Sequence, residues 1–138
     1  MKLFVDTGPL IARYLKQDGK HRESIKQWDA LSKKQGVQLL TTGYVLSETA
    51  TLLARRAGNQ FAAERIRNIT ASSWIEVRYA GARETTAALN ILSKFADQDL
   101  SFTDAVSFAV MRQEGLRDAI SFDSHFERAG FRIWKPGR

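Results

Sequence analysis

At 138 residues the chain has the length of one ordinary domain and can bury a core without disulfide or metal staples. Its 43% hydrophobic content argues against disorder. The lack of cysteine excludes disulfide frameworks, redox motifs and zinc–thiolate sites, leaving oxygen ligands or His21 and His125 for any metal. The formal charge of +6 suits a polyanionic partner but equally a plain solvated surface.

Lys2–Asp6 is apolar, ends at the turn residues Thr7-Gly8-Pro9, and reads as a short buried strand. Pro9 suits the first turn of a helix running to Lys16. His21 to Lys34 places Ile25, Trp28 and Leu31 at helical spacing, and Gly36 stops it. This first part also gathers Arg13, Lys16, Lys20, Arg22 and Lys26, candidates for contacts with nucleic-acid phosphates or simply a solvated face. Val37–Thr41 predicts a second strand. Thr42 to Ala57 predicts a helix with Val45, Leu46, Thr49, Leu52 and Leu53 on one side; Gly58-Asn59 breaks it and Gln60–Thr70 forms another.

Trp74–Tyr79 alternates and predicts a third strand, followed by a helix over Arg83–Phe95. Beyond the polar loop Asp97-Gln98-Asp99, Ser101–Gln113 is apolar nearly all round, as expected of a buried helix. Ala119–Phe122 predicts a fourth strand, Ser124–Arg128 one helical turn, and Phe131–Trp134 a last strand. Strands alternate with helices throughout, the pattern of a single α/β domain with a mostly parallel sheet. The opening apolar run is too short for a signal peptide and no stretch reaches the length of a membrane span, so the expected location is the cytoplasm, with no membrane partner.

Four carboxylates occupy informative positions. Asp6 closes the first strand and Asp123 the fourth, and the carboxyl ends of parallel strands are where ligands bind. Each has an ordinary structural use: an Asx turn before Gly8 for Asp6, and a helix start at Ser124-x-x-Glu127 for Asp123. Glu48 lies between Val45 and Leu52 in the apolar stripe of its helix, where a carboxylate needs a partner, a cation or a path to solvent. Asp104 opens the most apolar helix, where Ser101-x-x-Asp104 is also a capping pattern. If the four converge, they require cations, and Mg2+ or Mn2+ suits an oxygen-only set, binds phosphate oxygen and generates hydroxide for in-line attack.

In this arrangement the sequence resembles the PIN-domain family. Leu3-Phe-Val-Asp6-Thr-Gly-Pro-Leu-Ile-Ala12 is similar to the family's opening strand. Thr41-Thr-Gly-Tyr-Val-Leu-Ser-Glu48 resembles its second motif, Leu100-Ser-Phe-Thr-Asp104-Ala its third, and Ile120-Ser-Phe-Asp123-Ser-His-Phe126 its fourth. The resemblance spans essentially the whole chain and is nearest in character to VapC-type toxins. It implies a three-layer α/β/α sandwich, commonly a homodimer, that cleaves RNA, often transfer RNA, with Mg2+ or Mn2+ at Asp6, Glu48, Asp104 and Asp123, and is silenced by a cognate antitoxin. Thr7, Thr103 and Ser121 match positions where the family often has a hydroxyl near the metal. His125 stands where some members carry a further acid, and Asp99 lies in the loop before Asp104. These five are candidates to support the metal ligands.

Other classes fit less well. Asp6-Thr7-Gly8 also resembles the triplet of retroviral-type aspartic proteases, but those need an all-β chain. Haloacid-dehalogenase phosphatases need an acid where Gly8 stands, receivers need an acidic pair at the first strand, and no Gly-x-Ser-x-Gly occurs. A housekeeping RNA-processing or DNA-directed PIN nuclease, or a PIN-like module that only binds RNA, remains the alternative. The latter usually lacks one or more of the acids.

Overall fold

In a computed structural model, which describes residues 1–137, the apolar residues of the first strand are buried on both sides. Leu3, Phe4 and Val5 are each 0% exposed, as expected for a central strand of a parallel sheet covered on two faces. The elements are β1 (Lys2–Val5), α1 (Thr7–Tyr14), α2 (His21–Ser32), β2 (Gln38–Thr42), α3 (Gly43–Ala57), α4 (Asn59–Ala71), β3 (Ile75–Arg78), α5 (Ala82–Lys94), α6 (Phe102–Gln113), β4 (Asp118–Ile120), α7 (His125–Arg128) and β5 (Arg132–Ile133).

The five strands lie in the order β3-β2-β1-β4-β5 and every pairing is parallel. Chain order runs outward from β1 through β2 to β3, then returns across the sheet to β4 and β5. Right-handed crossovers therefore put α1–α4 on one face and α5–α7 on the other, a three-layer α/β/α sandwich. On the second face Phe108 of α6 meets Phe126 of α7 edge to face at 4.9 Å. Ala105 to Met111 are all buried, so α6 is the buried helix that its composition predicts. None of the described helices is long and apolar enough to cross a membrane.

The reversal of direction between β1 and β4 is a topological switch point. The two chains leave adjacent strands toward opposite sides and open a crevice at their carboxyl ends. Strand boundaries differ from the sequence-based expectation in one place that bears on function: β4 stops at Ile120, so Asp123 lies in the loop beyond the strand. The Ser121 hydroxyl accepts the Asp123 N–H at 2.9 Å and turns the chain out of the sheet.

Candidate active site

The switch-point crevice is built from the residues that end β1 and follow β4. Asp6 donates its N–H to the Ile120 carbonyl at 3.0 Å, which locks it beside β4. Asp6 takes the cap position of α1, yet its carboxylate makes no capping hydrogen bond. Instead Oδ2 accepts the Ser121 hydroxyl at 2.7 Å. Ser121, itself buried, thus links both chain exits: it donates to Asp6 and accepts from Asp123. The Asx turn expected as an ordinary use of Asp6 is not formed. Ser124, likewise, makes no side-chain cap for α7; its place is taken by Asp123, whose Oδ1 accepts the His125 N–H at 2.9 Å.

Asp104 enters from α6. The Ser101 hydroxyl caps that helix by accepting the Asp104 N–H at 3.0 Å, so the capping pattern is real, and the same first turn delivers the Asp104 carboxyl into the crevice. Asp104, Asp123 and His125 can each offer a ligand atom within 4.8 Å of the others. Burial is the main cause that raises the Asp104 carboxyl to about 7, with Asp6 and Asp123 repelling its charge. Burial likewise pushes Asp6 up to about 6, opposed by the Ser121 hydrogen bond and reinforced by the charges of Asp123 and Glu48. Glu48 is half-buried on α3, and its charge adds to the repulsion at Asp6.

The residues fit a divalent cation. Several carboxylates face one another in a partly desolvated crevice, where their charge is costly without a counter-ion. Next to Asp6, the buried Thr7 hydroxyl has no hydrogen-bond partner among the described residues, and neither has Nδ1 of His125. A hard cation with oxygen ligands answers the excess of charge.

Two grooves flank the acids. One, of about 470 Å3, has Tyr44, Glu48, Thr51, Arg55 and Thr103 in its wall. The other, of about 610 Å3, begins at Ser121, Phe122 and Asp123 and includes Lys20. Thr103 therefore stands beside Glu48 in a groove wall. Asp99 is exposed in the loop before α6 and is not among the residues brought together. Of the basic candidates, Lys16, Arg22 and Lys26 are exposed, and the Lys20 ammonium lies 5.5 Å from the Phe122 ring centre. Arg13 stacks over Trp28 at 4.4 Å, so part of its role is packing. The groove residues Tyr44, Thr51 and Arg55 escaped the sequence reading, although with Glu48 they recur at helical spacing on one face of α3.

Comparison with known proteins agrees with this architecture. The family model of the PIN domain matches residues 3–132. The chain is 36% identical over 134 residues to the 23S rRNA-specific endonuclease VapC20 of Mycobacterium tuberculosis, covering 97% of this chain and 98% of the relative. The crystal structure of that Mycobacterium tuberculosis VapC20, described as a sarcin-ricin loop cleaving toxin, superposes with a TM-score of 0.84 at 35% identity, covering 94% of this chain and 95% of that one. VapBC2 from Rickettsia felis, bound to a DNA fragment from its promoter, shares the fold at 11% identity, with a TM-score of 0.70 and 98% of each chain covered. FitAcB from Neisseria gonorrhoeae shares it at 15% identity, with a TM-score of 0.68, covering 99% of this chain and 98% of that one. The chain belongs to the PIN-domain family, and within it to the VapC type.

Proposed function

We propose that the protein is a metal-dependent endoribonuclease, the toxin of a toxin–antitoxin pair, with Asp6, Glu48, Asp104 and Asp123 as its catalytic centre. The observation that supports this reading is the mutual repulsion of Asp6, Asp104 and Asp123 beside the β1–β4 switch point, with Glu48 adding to it at Asp6; burial first, and this repulsion second, raise Asp6 and Asp104 to about 6 and 7. Such carboxyls release their protons readily to a cation near neutral pH.

The four carboxylates would hold Mg2+ or Mn2+. A bound ion of this kind activates water as a nucleophile and offsets charge on the phosphate. The chain's own groups set the geometry. Ser121 orients Asp6 through its hydrogen bond and holds the Asp123 loop in place. Thr7 and Thr103 supply hydroxyls near Asp6 and Glu48. Lys16, Lys20, Arg22 and Lys26 supply positive charge for the RNA backbone, and Lys20 reaches the groove that starts at Asp123.

For the substrate, structured ribosomal RNA ranks ahead of transfer RNA, because a relative sharing 36% identity is named for 23S rRNA. Action there requires a cytoplasmic protein. A cognate antitoxin and homodimerisation belong to the same proposal; the first is checked by co-purification with the product of a neighbouring small reading frame, the second by light scattering.

The test is to incubate ribosomes and total RNA with the purified protein in Mn2+ or Mg2+ and map new 5′ ends. A discrete cut in large-subunit RNA, absent with Asp104→Asn, is expected. Identical end profiles with and without wild-type protein across ribosomal and transfer RNA would refute the activity.

A further inference from the structure

We propose that His125 is a nitrogen ligand of the cation held by Asp104 and Asp123, biasing this centre toward Mn2+ over Mg2+. The proposal rests on the metal-dependent reading above and goes beyond the four carboxylates. Candidate ligand atoms of the three residues lie within 4.8 Å of one another. Around a six-coordinate ion with bonds of about 2.1 Å, neighbouring ligands lie about 3 Å apart and opposite ones about 4.2 Å. Nδ1 of His125 is 2.8 Å from Oδ1 of Asp123, the separation of two neighbouring ligands.

The competing use of this imidazole is to pair with Asp123, as an ion pair when the ring is protonated or by donating a hydrogen bond. Despite the short distance, the two atoms do not meet hydrogen-bond alignment, and Nδ1 is a buried nitrogen without a partner among the described residues. Oδ1 already accepts the backbone N–H of His125, which fixes the ring and the carboxylate side by side. A buried ring nitrogen left unpaired is costly, and a cation seated between it and the two carboxylates removes that cost.

The selectivity follows from ligand chemistry. Mg2+ keeps oxygen ligands and water at near-ideal octahedral positions. Imidazole favours transition-metal ions, whose affinities at a nitrogen-containing site rise from Mn2+ onward. An imidazole at this position therefore adds more to Mn2+ than to Mg2+.

Pulsed electron paramagnetic resonance of Mn2+ bound to the full chain tests this directly. The wild type should show nitrogen-14 coupling that His21→Gln retains and His125→Gln abolishes. His125→Gln should also weaken Mn2+ binding by about 10-fold or more, and Mg2+ binding, measured by competition, distinctly less. Mn2+ bound without nitrogen coupling in the wild type would overturn the ligand assignment while leaving the carboxylate centre standing. Failure of the wild type to bind Mn2+ at all would overturn both. An equal loss of the two cations in His125→Gln would contradict the selectivity. The wild-type spectrum needs no variant, so a folding defect in His125→Gln does not shelter the proposal.

Discussion

A carboxylate buried beside other carboxylates opposes folding unless something neutralises it, and Asp6 is 6% exposed in that position. Asp6→Asn keeps the shape and removes the charge, so it should nearly abolish RNA cleavage while raising metal-free stability at pH 8 by about 1–3 kcal/mol. Thermal melts with and without Mn2+ check this: the ion should raise the wild-type midpoint and leave the variant's nearly unchanged. Ser121→Ala should act differently. It removes the hydrogen bond that lowers the Asp6 pKa, so cleavage should need a higher pH and metal affinity should fall by about 10–100-fold. A pH–rate profile identical to wild type would deny Ser121 its orienting role. Residue types and positions made the acids legible in the sequence: Asp6 and Asp123 fall at strand exits, Asp104 at a helix start, and Glu48 in the apolar stripe of its helix. Less legible was the pair of hydrogen bonds by which Ser121 donates to Asp6 and accepts the Asp123 N–H, since nothing local relates positions 6 and 121.

At the level of elements, the helix starts hold the site together. The Thr42 hydroxyl accepts the Val45 N–H at 3.1 Å and begins α3, six residues before Glu48; Ser101 begins α6 three residues before Asp104. Ser101→Ala should cost about 1 kcal/mol of stability and also remove a hydroxyl that lowers the Asp104 pKa, measurable by denaturant unfolding together with metal titration. Gly8 matters for a different reason: a Cβ there would meet the Phe122 ring at 3.2 Å, pressing on the loop that carries Asp123. The basic segment of α1 and α2 makes a separable prediction. Replacing Lys16, Lys20, Arg22 and Lys26 with Gln should weaken RNA binding and flatten its salt dependence by about 0.7–0.9 per lost phosphate contact. Cleavage at saturating RNA should stay near wild type. Unchanged affinity and salt slope would move the RNA path elsewhere. Arg13 is better left intact, because its stack on Trp28 ties α1 to α2. Helical spacing and capping residues made these elements readable to within a few residues. β4 ends two residues earlier than expected, because the Ser121 hydroxyl's hydrogen bonds to Asp6 and the Asp123 N–H turn the chain out of the sheet before Phe122.

For the whole molecule, the sheet order places the site. Alternation of strands and helices in the sequence implies a parallel sheet, but not that β1 and β4 are neighbours; that adjacency comes from the return crossover of α5 and α6, and in the sequence only the family resemblance implied that Asp6 and Asp123 share a site. Bringing Asp6 and Asp123 together also gives the molecule a pH signature. Asp6 and Asp104 have folded values raised from 3.8 to about 6 and about 7, so the folded state holds their protons more tightly than the unfolded chain. Their contribution to metal-free stability is full below the unfolded value and is lost as pH rises through 6 and 7. Metal binding displaces those protons, so apparent affinity should climb over the same interval. Calorimetric titrations in buffers of different ionisation enthalpy should detect proton release at pH 6.5 and little at pH 9.

The most direct test of a metal-dependent carboxylate nuclease is cleavage of large-subunit ribosomal RNA by purified protein stripped with chelator, then titrated with Mn2+ or Mg2+. Cleavage at one mapped site should vanish in chelator, return with either ion, and fail to return for Asp6→Asn or Asp104→Asn. Full cleavage in excess chelator, or wild-type rates from either variant, would contradict the account.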